Sequence, residues 1–313
     1  AASDVYKRQA WGKGGRTRMF TSRAPTRLTN CWSWSLLELE RHGRCRRGRL
    51  GNMDDVKISG TDDVTITLDR PQAINSLSGE MLGTIGEVVK RSPRSIDLSG
   101  AGERGYCSGA DIRELRALVW KDPEAAGDWL DGEYDVDAAI AEVHSGTAHL
   151  HGISMGGGLG LSLRLKRVEA RDDLVLAMPE TGIGLWPDVG VCFELSRAPR
   201  LVGRHMAMTG ASIDAASALW AGLVDEVVDA DGNPAGVDPV DCELARDAVW
   251  IQDCYNTDDP IEVCRRLADR PEVAARKAAE HIAARCPLSV AVALAAVIKA
   301  ESASGLGEVL ELS

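Results

Sequence analysis

The chain has 313 residues, of which 44% are hydrophobic and 27% charged, a composition ordinary for a soluble globular enzyme with a sizeable core. It has no run of about 18 apolar residues, so we expect no membrane-spanning helix. The first 50 residues hold 12 of the 36 Lys and Arg residues but 3 of the 47 acidic ones; their net charge of +9 leaves −20 for the rest. Because nucleic-acid binding needs clustered positive charge, this acidic body argues against a nucleic-acid partner.

Residues 1–52 show no sustained helix or strand period. Their Arg-rich, acid-poor composition is found in mitochondrial transit peptides, which would place the protein in the mitochondrial matrix. An organised chain begins directly after Met53, so we favour a second interpretation, in which residues 1–52 are an unstructured or non-native leader and the protein is cytoplasmic. The eight cysteines show no CxxC pair and no zinc-ligand spacing, which favours a reducing compartment and no metal site.

Helical and strand-like segments alternate through the first part of the organised chain, which indicates an α/β domain. A strand is predicted at 64–68, a helix at 79–90, a strand at 95–99, helices at 111–120 and 128–143, and strand, glycine turn, helix and strand between 150 and 178. Beyond residue 198 the pattern is mostly helical, with helices at 211–221, 240–255, 261–267, 273–285 and 289–301. An Asp, Gly and Pro cluster at 228–239 is a plausible loop, so we divide the chain into domains at 53–230 and 231–313.

Two glycine-containing stretches precede predicted helices. In RGYCSGADIREL, residues 104–115, exposed backbone N–H groups could polarise an anionic oxygen, although a tight turn capped by Asp111 explains the same pattern. In HGISMGGGLGLSL, residues 151–163, three successive glycines leave backbone amides unscreened, although close packing of a helix on a strand also requires glycine. Neither stretch assigns a function by itself.

Carboxylates occupy two further positions of interest. In LVLAMPETGIGLWPDVG, Glu180 follows a strand and Asp188 comes eight residues later, so the pair could divide general-base, nucleophile and acid roles. The structural alternative is a solvated Glu180 and a helix-capping Asp188. Glu133 lies within the apolar stripe of the helix predicted at 128–143, where a charged side chain is unexpected.

The order and spacing of these stretches, together with DRPQAINSLS at 69–78, resemble the crotonase superfamily from about Met53 to the end of the chain. The resemblance implies an α/β fold, a crotonase-like spiral of ββα units with a helical C-terminal region that shapes the acyl pocket and often mediates oligomers. A homo-oligomer is therefore one expectation, and the C-terminal region is expected to be shortened relative to the family. By motif matching, the oxyanion hole would be formed by the amides of Ala110 and Gly157, and coenzyme A would lie along Ala73, Asn75 and Leu77.

Within the superfamily, hydratases carry a second glutamate three residues after the oxyanion glycine, where this chain has Gly160. The stretch containing Glu180 and Asp188, and the GEY containing Glu133, instead resemble hydrolases of the 3-hydroxyisobutyryl-CoA type. The implied reaction is hydrolysis of a short 3-hydroxyacyl-CoA, as in valine catabolism, with no cofactor beyond the coenzyme A of the substrate. Glu180 would attack the thioester or activate water, while Asp188 and Glu133 orient the substrate hydroxyl and water.

Two alternatives stay open at this point. The chain could be an enoyl-CoA hydratase or isomerase, which Gly160 disfavours for the hydratase form. It could also be a non-catalytic relative that binds acyl-CoA.

Overall fold

The computed structural model describes residues 55–310, so the predicted leader at 1–52 lies outside the described residues. Nine strands and twelve α-helices make up this part of the chain. The strands are β1 (Val56–Ser59), β2 (Asp63–Leu68), β3 (Ser95–Gly100), β4 (Ser145–Leu150), β5 (Ile153–Met155), β6 (Arg167–Arg171), β7 (Val175–Ala177), β8 (Ile213–Asp214) and β9 (Glu226–Val228).

Helices alternate with the strands and then dominate the C-terminal region, as the sequence predicted. They are α1 (Gly79–Val89), α2 (Ile112–Lys121), α3 (Pro123–Ala141), α4 (Gly157–Ser162), α5 (Cys192–Arg197), α6 (Val202–Thr209), α7 (Ala215–Trp220), α8 (Glu243–Tyr255), α9 (Pro260–Ala268), α10 (Val273–Ala283), α11 (Pro287–Glu301) and α12 (Leu306–Leu310). Four short 3₁₀ helices add single turns at Pro71–Ala73, Glu180–Gly182, Pro199–Leu201 and Pro239–Asp241.

The main sheet has the strand order β1-β2-β3-β4-β6-β9 and is parallel except for the β1–β2 pair. Its register aligns Ile66 with Leu98, and Leu98 with Ala148. All three side chains are fully buried, so a continuous apolar row crosses the sheet. Removing such a row from water is the main source of stability for a sheet of this kind.

A smaller sheet, of order β5-β7-β8, carries the segments of interest. Because β5 and β7 are parallel, they end at the same edge of this sheet, at Met155 and Ala177. The three glycines follow β5 directly, and two residues separate Glu180 from the end of β7. The topology therefore brings two stretches that are distant in sequence to one edge, where parallel-strand proteins commonly place their sites.

Local capping explains where two of the early helices begin. The Ser78 hydroxyl accepts from the Met81 N–H at 3.2 Å before α1, and the Asp111 carboxylate accepts from the Arg113 N–H at 3.1 Å before α2. Asp111 also pairs with Arg70 at 2.7 Å. The capping interpretation of Asp111 is therefore confirmed, and its carboxylate is committed to structure.

The C-terminal helices brace the loop that contains Glu180. Arg285, between α10 and α11, donates from Nε to the Thr209 carbonyl at 2.9 Å, and the Cys286 N–H donates to the Thr181 carbonyl at 3.2 Å. Among residues 55–310, no single helix is long and apolar enough to cross a membrane. Only α10 and α11 taken together reach that length and apolarity, and they are bent by 116°.

Several elements differ from the sequence prediction, among them the strand β9 and the helices α5 and α6, which were not predicted. The strands β1 and β6 were not predicted. The sequence of β6 is RVEAR, whose charged residues hide the alternation typical of a strand. These side chains form ion pairs with neighbouring strands, as Arg167 does with Glu226. The helix predicted at 211–221 begins at Ala215 instead. Its first residues form β8 against β7, and the Asp214 carboxylate then caps the helix by accepting from the Ser217 N–H at 2.8 Å.

Asn75 anchors the loop between β2 and α1. It is fully buried with a positive φ of 51°, a conformation that Asn tolerates better than most residues. Its side-chain amide donates to the carbonyls of Ala101 and Tyr106 at 2.9 Å and Gly105 at 3.2 Å, and its side-chain oxygen accepts from the Arg70 N–H at 2.9 Å. One side chain therefore ties this loop to the stretch that precedes α2.

We expect Asn75→Ala to lower the free energy of unfolding by about 2–4 kcal/mol, because buried hydrogen-bonding groups of the backbone lose their partner. Urea denaturation measures this change. The control is Asn233→Ala in an exposed loop, for which a loss below about 1 kcal/mol is expected. Equal effects at the two positions would contradict the anchoring role.

Candidate active site

The backbone around Ala110 leaves its N–H group free. Ala110 pairs with Leu77 through its neighbours: the Leu77 N–H donates to the Gly109 carbonyl at 2.8 Å, and the Asp111 N–H donates to the Leu77 carbonyl at 2.7 Å. In this parallel pairing the Ala110 N–H points to the opposite side. Within residues 55–310 it donates no hydrogen bond to another protein group.

A second free amide lies beside it at the end of β5. Cys107 pairs with Ser154 of β5, but the chain leaves the strand after Met155 and turns at Gly156, with φ 53°, into α4. A methyl group placed on Gly109 would lie 3.3 Å from the Gly157 nitrogen, so the two stretches are in contact. The Gly157 N–H, like that of Ala110, has no acceptor in the described part of the chain.

Glu180 lies next to this pair of amides. It is 8% exposed, and a methyl group on Gly156 would lie 3.0 Å from its Oε1 atom. Its Oε2 atom is buried and has no hydrogen-bond partner among residues 55–310. Burial, with a further contribution from Asp188, raises the pKa of Glu180 to about 8. The solvated-loop alternative is therefore wrong for this residue.

Asp188 lies near Glu180 on the same loop and is partly buried. Its Oδ2 atom accepts from the Tyr134 hydroxyl of α3 at 2.7 Å. Burial raises the pKa of Asp188 to about 6, although that hydrogen bond acts in the opposite direction. The helix-capping alternative is wrong, because α5 begins at Cys192 and its cap position is Val191.

Val189, directly after Asp188, has a strained backbone. It is buried with φ 47°, a conformation that β-branched residues rarely adopt. The packing of Val189 against Gly160, where a methyl group would lie 2.8 Å from its Cβ atom, helps to hold this conformation.

Glu133 reaches the amide pair from α3. It is 2% exposed, and a methyl group on Gly157 would overlap its Oε1 atom, which has no hydrogen-bond partner among the described residues. Burial raises the pKa of Glu133 well above its usual range, and Asp188, Asp137 and Glu180 each add to the increase. The unexpected carboxylate on the apolar stripe therefore faces a cluster of other carboxyl groups.

Asp137 is a fourth acidic residue of this cluster, and the sequence analysis missed it. It is fully buried on α3, one helical turn after Glu133, and neither of its carboxyl oxygens has a hydrogen-bond partner within residues 55–310. Burial raises its pKa well above the usual range, against an opposing effect of Arg164. Its spacing of four residues from Glu133 was a usable signal, because residues so spaced share one face of a helix.

The residues predicted to contact coenzyme A lie on the loop anchored by Asn75. The side chains of Asn75 and Leu77 are fully buried, and that of Ala73 is partly buried. The Ala73 carbonyl accepts from the Ser108 hydroxyl at 3.3 Å. Since Asn75 is committed to internal hydrogen bonds, any contact of this loop with coenzyme A would involve its backbone and its partly exposed positions. The assignment remains a prediction.

Within the described range, no group of three or more His, Cys, Asp or Glu residues has an arrangement suited to a metal ion. Cys192 is buried and contacts the Pro187 carbonyl at 3.2 Å, and burial raises the pKa of its thiol. A protonated, enclosed thiol is a poor nucleophile. The groups that the described residues bring together here are carboxyl groups and backbone amides.

The raised pKa of Glu180 predicts that the free energy of unfolding depends on pH. Between about pH 4.5 and 8 the folded chain keeps a proton that the unfolded chain has released, so this group makes the fold less stable as pH rises. Glu180→Gln removes the titration and should be more stable than the parent above pH 8, by about 5 kcal/mol, with little difference near pH 4.

Urea denaturation of both chains across this pH range measures the difference. The control is Glu87→Gln, at an exposed position of α1. A stability difference for Glu180→Gln that does not change with pH would contradict the burial of an uncompensated carboxyl group.

Comparison with known proteins relates this site to acyl-CoA enzymes. The family model described as enoyl-CoA hydratase/isomerase matches residues 64–238. The chain is 35% identical over 193 residues to 3-hydroxyisobutyryl-CoA hydrolase, mitochondrial, of Gallus gallus, covering 60% of this chain and 48% of that protein. It is also 33% identical over 180 residues to small ribosomal subunit protein mS47 of Neurospora crassa, covering 55% of this chain and 35% of that protein. The chain thus spans about half, or less, of the length of these curated relatives.

A solved structure matches over a larger share of the chain. A carnitinyl-CoA dehydratase from Mycobacterium thermoresistibile superposes with a TM-score of 0.76 and 33% sequence identity, covering 82% of this chain and 83% of that one. The predicted crotonase-like α/β fold with a helical C-terminal region is confirmed. The family match covers more than half of the chain, and the structural match extends well beyond it. The chain therefore belongs to the enoyl-CoA hydratase/isomerase family of the crotonase superfamily.

Proposed function

We propose that this protein hydrolyses a short 3-hydroxyacyl-CoA thioester, of the 3-hydroxyisobutyryl-CoA type found in valine catabolism, to the free acid and coenzyme A. The observation that carries the proposal is the buried Glu180 carboxyl group, whose Oε2 atom has no protein partner within residues 55–310 and which lies beside two free backbone amides. A relative named as this hydrolase, at 35% identity, supports the choice of reaction.

The two amides suit the carbonyl oxygen of a thioester. When a nucleophile attacks the carbonyl carbon, negative charge develops on that oxygen, and the N–H groups of Ala110 and Gly157 would stabilise it. These amides are fixed by the Leu77 pairing and by the turn at Gly156, so they need no reorganisation during the reaction. One such donor commonly contributes about 10²–10³ in rate.

Glu180 supplies the basic or nucleophilic group. In one route its carboxylate attacks the thioester carbon and expels the coenzyme A thiolate, and water then hydrolyses the resulting anhydride. In the other route Glu180 takes a proton from a water molecule that attacks directly. A pKa near 8 favours both routes, because a carboxylate made more basic by burial is a stronger base and nucleophile when it ionises. Oxygen-18 from water enters Glu180 in a single turnover only by the anhydride route.

Asp188 and Glu133 complete the proposed site. Asp188 is oriented by the Tyr134 hydroxyl, and Glu133 lies against Gly157, so both carboxyl groups lie beside the place where the thioester would bind. We assign them the orientation of water and of the substrate hydroxyl group. Coenzyme A would extend along the loop of Ala73, Asn75 and Leu77, and it is the only cofactor-like group that the reaction needs.

A non-catalytic role is the second candidate, because one relative is a protein of the small ribosomal subunit. The buried, unpartnered carboxyl group of Glu180 argues against it, since a pure binding protein gains nothing from that cost. A hydratase of the two-glutamate type is disfavoured by Gly160, where a methyl group would already lie 2.7 Å from Asp137 Oδ2. A homo-oligomer remains a prediction.

Two locations fit the sequence of the protein, the cytoplasm and the mitochondrial matrix. The cysteine pattern favours a reducing compartment, and both of these compartments are reducing. The word mitochondrial in the name of the Gallus gallus relative supports the matrix. We therefore propose the matrix as the location to test first.

Thiol release from 3-hydroxyisobutyryl-CoA tests the proposal. The parent chain should release free coenzyme A, and Glu180→Gln should lower kcat/KM by about 10³-fold or more, because the substituted amide is neither a base nor a nucleophile. Glu87→Gln on the exposed face of α1 is the matched control and should retain parental activity.

The same samples separate the alternatives. Loss of enoyl absorbance from crotonyl-CoA without thiol release would indicate hydratase chemistry. Binding of acyl-CoA with no turnover of either substrate would favour the non-catalytic role and would contradict the proposed hydrolase.

A further inference from the structure

Asp137 is a buried carboxyl group for which the proposed reaction has no role. It is 0% exposed, and both of its oxygens lack hydrogen-bond partners among residues 55–310. The nearby Arg164 does not satisfy them: its guanidinium bonds the Glu194 carboxylate at 2.6 Å and the Gly160 carbonyl at 3.2 Å. A buried polar group without a partner is costly and is rare in folded proteins, so this one needs an explanation.

Asp137 and Glu133 contact α4 in the same way, each with a carboxyl oxygen against a glycine. On α3, Glu133 lies against Gly157 of α4, and Asp137 lies one turn further along, with Oδ2 2.7 Å from the place of a methyl group on Gly160. Three residues of an α-helix span about 4.5 Å along its axis. Asp137 therefore lies about one turn beyond the amide that would hold the thioester oxygen.

We propose that Asp137 is a specificity-determining residue whose carboxyl group binds the 3-hydroxyl group of the acyl chain, in addition to the contacts proposed for Asp188 and Glu133. The inference rests on the proposed function, because it takes a 3-hydroxyacyl-CoA as the ligand. The hydroxyl oxygen of such a group is three bonds from the thioester carbon, a span similar to the step from Gly157 to Gly160. A ligand hydroxyl in this place would give Asp137 the partner that it lacks.

The chemical state of Asp137 suits a hydroxyl ligand. Burial raises its pKa well above the usual range, with a further contribution from Asp188. A neutral carboxyl group has one O–H donor and a carbonyl acceptor, so it can both donate to a hydroxyl group and accept from it. It does this without adding another negative charge beside Asp188 and Glu133. An acyl chain without the hydroxyl group would leave Asp137 without a partner, as it is among the described residues.

Binding of non-hydrolysable analogues tests this inference independently of turnover. The ligands are the thioether analogues of 3-hydroxyisobutyryl-CoA and isobutyryl-CoA, and isothermal titration calorimetry of the full chain gives their Kd values. The parent should bind the hydroxylated analogue about 10- to 100-fold more tightly. Asp137→Asn, which keeps a donor and an acceptor, should retain this preference, whereas Asp137→Leu should lose most of it, because it weakens binding of the hydroxylated analogue alone.

Each result decides the inference. Retention of the preference in Asp137→Leu, or equal weakening of both analogues, would overturn it. If the Leu variant does not fold, the test is the ratio of the two Kd values of the parent chain. Equal affinity of the parent for the two analogues overturns the inference. A chain that prefers the hydroxylated analogue through Asp137 but releases no thiol supports the inference while contradicting the proposed hydrolase.

Discussion

The candidate site depends on the burial of several carboxyl groups around one short glycine-rich helix. Glu133, Asp137, Glu180 and the partly buried Asp188 converge on α4. Taking an ionised carboxylate out of water is costly, and several of them together add mutual repulsion. The cluster therefore holds protons at pH values where an exposed carboxyl group has lost them, and this property connects the fold to its proposed chemistry.

The fold creates this cluster by the way its strands end. Parallel β5 and β7 stop at one edge, so the glycine turn and Glu180 meet there, and α3 crosses behind them with two carboxyl groups on one face. Glycine at positions 157 and 160 leaves room for these carboxyl groups, because a methyl group at either position would displace an oxygen of Glu133 or Asp137. The absence of side chains on α4 thus allows the carboxyl groups of α3 to approach the free backbone amides.

The sequence predicted the parts of this arrangement that are local in the chain. The glycine turns, the α/β order and the unexpected Glu133 on an apolar stripe were visible in periodicity and composition. The juxtaposition of Ala110 with Gly157 depends on a bridge between Cys107 and Ser154, which no local pattern specifies. Asp137 was missed because it lies outside the GEY motif that contains Glu133, and β6 was missed because its charged side chains pair across strands.

The relatives are similar to this chain in sequence and differ in what their names say they are: a hydrolase, a dehydratase and a ribosomal protein. Function within such a family depends on the side chains at the site. The proposed hydrolysis therefore depends on the protonation state of Glu180, which carbon-13 NMR of the glutamate side-chain carboxyl groups measures directly, with the Glu180→Gln spectrum assigning the signal. A titration midpoint near pH 8 is predicted; a midpoint near 4.5, the value of an exposed glutamate, would contradict the burial of this carboxyl group and its proposed role.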